Sequence, residues 1–589
     1  MNHTDIESGK NKNRDLLLIT IIVICIIAVF SVSLNYPILD NWDDQYYILN
    51  NTHLTLNFQN ILFWITNPYY HMYIPFTMFT YMFDFNIWGY NPIGYHLQNI
   101  LWHIITSVFI YKCFRFFNIN QYIAFFIVLI FSIHPQRIES VVWLSERKDV
   151  LCTAFYFSTI YFYMKHRKKH EGFSSFAFIL YLLAFLAKPM AMSIPFILLA
   201  FEFYQHRKID IEYYFKKLWM YFLVLIIFVP IAFQYQATVE TKFILSRQIY
   251  IVLYNIIWYI KTSFIPGSLN PLYAEINVNT IFAYLLTAYI LAAIFLIWLA
   301  VKTRKSFIYV FIPIIFCYLV SLAPVSGFIP WGSVYKADRW SYVPSVFVWF
   351  SIALLLSRYL YNNKTAIYDN LIRYKIIYTI LCVYTVFFMT LNVLYQENWQ
   401  SSYKIFIKAS TFHPANTYAI WLLSEYELKN KKYTEAFVLG KRMAKSKDWS
   451  HKYRSEYIIS SCYFGLEKYQ EVINTLRGFV KVDPILGEKI LDSKDKYNNM
   501  LSMVAISYMK LHRDSKALKY FNKIILANQN NPFLNYYYLG MSFMVMENFD
   551  KAIYYFKKSE SLDPDNKLVK KRIKEVIKNK NELNKFTQF

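Results

Sequence analysis

LLLITIIVICIIAVFSVSLNYPILDNWDD, Leu16 to Asp44, is the stretch that decides what kind of chain this is. The run from Leu16 to Leu34 carries no charge and is long enough to cross a bilayer, which takes about 20 apolar residues. Lys10, Lys12 and Arg14 precede it as they would a signal peptide, but Asn35-Tyr36-Pro37 is a poor small-residue cleavage site and further apolar runs follow. It reads as a retained first span behind a cytoplasmic tail, residues 1–15. Just beyond it stand two adjacent acids, Asp43 and Asp44. A carboxylate close to hydrocarbon is costly unless hydrated, paired or used.

Working outward, the composition agrees with a polytopic membrane protein: 56% of residues are hydrophobic, 20% aromatic and only 17% charged. Apolar runs near 95–113, 120–134, 149–164, 173–187, 190–204, 217–233, 279–301, 306–323, 343–359 and 375–395 bring the expected total to about eleven spans within 16–395. Lys112 and Arg115, Lys165 to Lys169, Arg207 to Lys217, Lys302 to Lys305 and Arg358 to Lys375 fall on alternate loops, which marks those loops as cytoplasmic. Tyr250 to Phe264 would upset that alternation as a single crossing, so it is expected as a re-entrant or interfacial helix, with a paired extra crossing as the alternative. The outer face then carries 35–94, 134–149, the Lys188-Pro189 junction, 234–278 and 324–342. In the long first outer loop, 35–94, the aromatic runs Phe58–Ile65 and Tyr73–Phe85 suit helices lying in the interface.

Six cysteines are scattered without a CxxC pair, so no disulfide framework or zinc knuckle is visible. Of the net charge of +24, the part from Gln396 onward holds 33 basic against 20 acidic residues, and the part before it 29 against 18. A basic tail favours an anionic membrane surface or acidic partners, and no motif points to nucleic acid.

Beyond Gln396 the apolar runs stop and a helical repeat begins. Tyr536, Leu539, Gly540, Phe543, Ala552, Phe556 and Pro564 have the spacing of a tetratricopeptide unit. Ala505, Tyr508, Ala517 and Phe521 mark a second, Tyr463 and Pro484 a third, and Tyr426 with Ala436 a degenerate fourth. The expectation is a short α-solenoid over 396–589, with a Lys-rich last helix, on the outer side. The whole chain is therefore read as all-α.

Five clusters could carry chemistry. Asp43 and Asp44 could supply a general base, for which one of the pair suffices. His134, Arg137, Glu139, Glu146, Arg147, Lys148 and Asp149 lie between two spans; Arg147 and Lys148, against the positive-inside tendency, suit an anion such as phosphate. His96, Asn99 and His103 share one face of a helix and must meet protein or water. Lys188 is an isolated cation in an apolar hairpin, free to snorkel to the surface. Asp338, Arg339 and Tyr342 open the tenth span. The topology places Asp43, Asp44, Glu139, Arg147, Lys148, Lys188, Asp338 and Arg339 on one membrane face. Carboxylates beside cations at a lipid boundary suit a reaction between an acceptor hydroxyl and a substrate held by its phosphate.

The ordered segments Asn41-Trp42-Asp43-Asp44, Gly94 to Asn99 with His103, His134-Pro135 through Asp149, Lys188-Pro189 and Asp338-Arg339-Trp340-Ser341-Tyr342 together resemble the transmembrane and tetratricopeptide repeat containing proteins and their bacterial relatives, membrane glycosyltransferases of the C-type fold. The resemblance implies a transferase that moves a hexose, mannose among the candidates, from a polyprenyl-phosphate-linked donor to a hydroxyl, with protein Ser or Thr as acceptor presented by the repeats. It implies Asp43 or Asp44 as the base, and Arg147, Lys148, Lys188, Arg339 and Tyr342 around the donor phosphate. His96, Asn99, His103, His134, Glu139, Asp149 and Asp338 complete the pocket. The reaction face is periplasmic in a bacterial inner membrane, or lumenal in the endoplasmic reticulum. No cofactor is required; paired acids permit a divalent cation without demanding one. Transfer to a glycan or lipid, and a non-enzymatic transporter or assembly protein, are the competing readings. A transporter would show inverted repeats, and no duplication of the spans is visible.

Overall fold

Helices account for the regular structure of the described residues, and no strand occurs among them. The computed structural model describes residues 3–586, apart from 71, 237–243, 268, 274–277, 304–306, 330–333, 362–366, 413–415, 446–448, 480–490, 492–493 and 529–530. Arg304 and Lys305 in the topology reading and Pro484 in the repeat reading lie outside the described residues. Two units make up the chain, Met1–Phe412 and His413–Phe589. The first therefore runs past Gln396, where the sequence reading divides the chain. The added helix, Ser402–Phe412, buries Ile405, Phe406 and Ala409. Its Phe406 ring lies 5.4 Å from that of Trp42, and the Ser402 hydroxyl donates to the Asp40 carbonyl.

In the first unit α1 spans His3–Phe30, α2 Phe58–Thr66, α3 Pro75–Trp88, α4 Pro92–Phe116, α5 Gln121–Ile133, α6 Ile138–Val142, α7 Arg147–Arg167, α8 Ser175–Ala187 and α9 Ile194–His206. After these, α10 spans Ile211–Gln236, α11 Leu245–Phe264, α12 Val278–Thr303, α13 Ile312–Leu322, α14 Pro344–Tyr361 and α15 Ile367–Gln396. Helices occupy all eleven expected span positions. Among the described residues five stretches, Lys12–Asn35, Ile211–Ile231, Leu285–Lys302, Phe307–Val325 and Ile372–Trp399, are long and apolar enough to cross a membrane. A sixth is α5 with Pro135–Val142, bent by 53°. The other expected spans fall on α4 and α7, which carry the inward polar residues, and on shorter helices such as α8 and α9.

The long first loop, 35–94, folds into α2 and α3. Asn57 caps α2, its side chain accepting from the Asn60 amide, and Pro75 opens α3 at a position where no amide is needed. The turn from α3 into α4 is so tight that a Cβ on Gly94 would sit 2.3 Å from the Trp88 ring, so only glycine fits. Helix α11 is amphipathic: Gln248, Ile251, Asn255, Trp258, Tyr259 and Thr262 are buried at helical spacing.

The second unit consists of helix hairpins: Thr417–Lys429 with Tyr433–Met443, Trp449–Gly465 with Tyr469–Leu476, Lys494–Lys510 with Asp514–Ala527, and Pro532–Val545 with Phe549–Leu562. Lys567–Phe586 follows as the Lys-rich last helix. Each hairpin turns on one left-handed residue, Lys431, Glu467, His512 and Glu547 in order. That recurrence shows the repeat in backbone form where the side chains have drifted. Gly540 allows the helices of the fourth hairpin to close up, since a Cβ there would lie 2.7 Å from Phe556.

Candidate active site

The two acids of the opening stretch sit in a turn that the sequence builds with care. Asn41 takes a left-handed conformation, φ 57°, which asparagine adopts more readily than most residues. Trp42 is wedged between Phe406 and Trp143, its ring 5.5 Å from Trp143, and Trp143 lies 5.5 Å from Trp399. The turn is thereby fixed against the segment that opens α7.

The acids then diverge. Asp44 is fully buried; Oδ2 accepts from the Leu39 amide at 3.2 Å, and Oδ1 from the Ser145 amide at 2.8 Å and from the Ser145 hydroxyl. Its carboxylate is thus committed to tying the first loop to residues 144–146. Burial pushes its pKa up to about 6, against the pull of those hydrogen bonds. Asp43 remains partly exposed, and no hydrogen bond or ion pair engages its carboxylate among the described residues. Burial raises its pKa too, with Lys148 pulling it down, Glu146 pushing it up and Arg339 pulling it down.

Glu146 is the hub beside Asp43. Its carboxylate lies 3.0 Å from Lys148 Nζ, 3.3 Å from Lys188 Nζ and 3.4 Å from Arg339 Nε. Burial alone would raise its pKa, but the three cations hold it ionised, well below the usual carboxylate range. Lys188 also reaches Asp149 Oδ1 at 2.5 Å, so it does not snorkel away; its side chain is only 9% exposed. It stands at the junction of α8 and α9, helices of 13 residues each. Arg339 pairs with Glu139 through both its guanidinium and its backbone amide, lies over the Trp143 ring, and keeps 17% exposure, the most of the three cations. Asp338 accepts from the Tyr273 hydroxyl at 2.7 Å; burial and then the nearby Glu139 push its pKa well above the usual range.

The remaining expected residues are placed differently. Arg147 has no exposed surface and every nitrogen is engaged: Nε with Asn99 Oδ1, Nη1 with Asp84, Nη2 with the Tyr95 carbonyl. Its plane also lies over the Tyr81 ring. It locks the first loop to α4 and α7. The Tyr342 hydroxyl meets His103 Nδ1, while His103 Nε2 meets the Ser132 carbonyl at 2.8 Å. His96 faces the Tyr36 carbonyl, and His134 caps the turn at Gln136. The polar stripe of α4 is thus spent on packing helices together. Among the described residues, no three His, Cys, Asp or Glu side chains converge as a metal site would require.

Two residues that the sequence reading passed over prove central. Asp84 is the only acid between Gln45 and Gly94, in a stretch that also lacks Lys and Arg. A lone acid among aromatic residues needs a cation, and that signal would have pointed to Arg147. Ser145 is silent in sequence because its role depends on the fold bringing it to Asp44. Substitution of Asp44 by alanine leaves the Leu39 and Ser145 amides without an acceptor. It is expected to cost about 1–3 kcal/mol for each group left unsatisfied, read as a lowered Tm of the purified protein.

Comparison with known proteins bears on this geometry. Residues 68–233 match the family model for dolichyl-phosphate-mannose-protein mannosyltransferases, and residues 533–566 match the tetratricopeptide repeat. The first match takes in Asp84, Glu139, Glu146 to Asp149 and Lys188, while Asp43 and Asp44 precede it. Similar proteins include the protein O-mannosyl-transferase F38B6.6 of Caenorhabditis elegans, 30% identical over 143 residues, 23% of this chain and 19% of that protein. Another is TMTC1 of Homo sapiens, 33% identical over 91 residues, 15% of this chain and 10% of the relative. A third is TMTC3 of Mus musculus, 28% identical over 169 residues, 27% and 18% respectively. The aligned stretches thus take in under a fifth of each relative's length. With a mannosyltransferase-like segment inside the membrane unit and tetratricopeptide repeats behind it, the chain is similar to the transmembrane and tetratricopeptide repeat containing O-mannosyltransferases, as its ordered motifs imply.

Proposed function

We propose that the chain is a membrane mannosyltransferase that moves mannose from a polyprenyl-phosphate donor to a protein Ser or Thr hydroxyl, with Asp43 as general base. The observation that supports this reading most is the contrast within the acid pair: Asp44 is consumed by three hydrogen bonds, whereas the Asp43 carboxylate is unengaged, partly exposed and beside Lys148 and Arg339. Asp43 takes the proton of the acceptor hydroxyl as its oxygen forms a bond to the anomeric carbon. The bond from that carbon to the phosphate oxygen breaks, and the electron pair leaves on the lipid phosphate. A single displacement of this kind inverts the anomeric centre. Arg339, the most exposed cation, with Lys148 and Lys188 behind it, offsets the charge that develops on the leaving phosphate. Glu146 holds the three cations in place. Arg147 and Tyr342 act from behind as supports of the loop and of α4, and the repeats bind the acceptor polypeptide.

Incubation of the purified chain with polyprenyl-phosphate mannose and Ser- or Thr-containing peptides tests the reading. Labelled mannose on peptide hydroxyls is the expected outcome; hydrolysis or transfer confined to glycan or lipid acceptors would replace the acceptor assignment. The pH profile gives a second check. A base must be ionised to act, and Asp43 is raised above its usual value of 3.8. Activity is therefore expected to rise with pH through a midpoint above that of an ordinary carboxylate. An acid limb at or below the usual value would exclude Asp43 as the group observed.

A further inference from the structure

A cavity of about 650 Å³ lies inside the first unit, between α4, α5, α7, α9, α13 and α14. Its polar rim is remote from the carboxylates, whereas its apolar end, at Val346 and Phe157, runs toward them. Along α14, Arg358 at the rim is about 21 Å from Pro344, and along α7, Met164 is about 22 Å from Asp149. The interior is apolar, with Phe157, Ile160, Ile197, Ile314, Phe347 and Leu354 in its wall. The rim is polar and includes Asn118, Gln121 and Arg358. Down α14 the wall runs from Arg358 to Val346, about 18 Å, so the space is long rather than round.

Next to it lies a second, polar cavity of about 490 Å³, which shares Phe117, Asn118 and Tyr204 with the first and adds Arg167, Lys168 and His206. The cations around this opening are not equivalent. Arg115 is paired with Asp15 at 3.0 Å and Arg167 with Glu202 at 2.7 Å, so both are neutralised. Arg358 and Lys168 have no ion pair among the described residues; each only approaches an aromatic ring, Phe311 at 5.8 Å and Phe116 at 5.9 Å. An elongated apolar slot thus ends at a polar vestibule with two uncompensated positive charges.

We infer that these two cavities form one binding site for an anionic lipid, its chain in the slot of α7, α13 and α14 and its phosphate between Arg358 and Lys168. Apolar space of this size matches chain-sized or drug-sized ligands, which fill about 300–1,000 Å³. A phosphate gains charge-assisted hydrogen bonds from an arginine held over the slot, and a zwitterionic headgroup gains less because its own cation opposes Arg358 and Lys168. A membrane phospholipid and a polyprenyl phosphate share the required chemistry, one phosphate anion on an apolar chain. The polar vestibule lies at the end of the bundle away from the carboxylates, so lipid retention there is read without turnover.

Native mass spectrometry of the full purified chain tests this, with phosphatidylglycerol, polyprenyl phosphate and phosphatidylcholine supplied at equal concentrations. At least one of the two anionic lipids is expected to be retained about tenfold over phosphatidylcholine, and which one identifies the source. R358A is expected to lower that retention about tenfold, R358K to keep most of it, and A200F, which fills the slot, to abolish it. Arg358 is only partly buried, so R358A keeps the test valid should A200F fail to fold. Equal retention of phosphatidylcholine, or anionic retention unchanged in R358A, would overturn the inference.

Discussion

Replacement of Arg147 by alanine is expected to destabilise the first unit by about 3–5 kcal/mol, the usual cost of removing one partner of a buried ion pair. Arg147 and Asp84 both have side chains with no exposed surface, so neither charge is screened by water. Loss of the guanidinium strands the Asp84 carboxylate, leaves Asn99 Oδ1 and the Tyr95 carbonyl without their donor, and opens a void beside Tyr81. Asp84 would keep only Gln98, at 2.5 Å. Thermal unfolding of the purified protein reads the effect, and a paired R147M/D84L substitution is expected to be milder than R147A, because it removes both charges at once. If R147A left the Tm unchanged, the first loop would not be held by this pair. If R147A lost activity without losing stability, Arg147 would have a direct role in the reaction.

That result bears on how much the sequence discloses. The all-α class, the helices within the first loop and a helix over Tyr250–Phe264 were legible, because hydrophobic period and length are local properties. The span total was less so: α4 and α7 trade apolar residues for the inward polar ones that build the site, and α8 and α9 have only 13 residues each. The cluster itself was legible as residue types in order, and the structure brings Asp43, Glu139, Glu146, Lys148, Lys188 and Arg339 together. What sequence could not separate was role. Arg147 and Lys148 are neighbours, yet one points into a closed cage and the other toward Glu146, since adjacent positions on a helix face different directions. Asp43 and Asp44 differ for the same reason, and the partner that fixes Asp44, Ser145, lies a hundred residues away. The C-terminal repeats were recognisable at Gly540 and Phe556 but degenerate elsewhere. There the left-handed turns at Lys431, Glu467 and His512 preserve the pattern without a glycine to announce it.

The larger expected effect is on turnover. Asp43→Asn keeps the size of the side chain and removes its capacity to accept a proton, and a positioned general base contributes about 10²–10⁴-fold. Because no hydrogen bond or ion pair among the described residues depends on the Asp43 carboxylate, D43N is expected to fold with an unchanged Tm and to bind the lipid-linked donor as before. Loss in kcat with donor affinity retained is the signature of an interaction made only in the transition state. D44A behaves oppositely, losing stability first and activity as a consequence. Substitution of Arg339 by alanine belongs to a third class: it removes an offset to charge on the leaving phosphate and leaves Glu139 and Glu146 less compensated, so both donor affinity and turnover are expected to fall.

Single-turnover transfer from labelled polyprenyl-phosphate mannose to a Ser/Thr peptide, at saturating donor and with wild-type and D43N proteins side by side, tests the central claim most directly. The account predicts transfer by the wild type and a rate at least a hundredfold lower in D43N, with equal donor bound to each; transfer by D43N at the wild-type rate would contradict it.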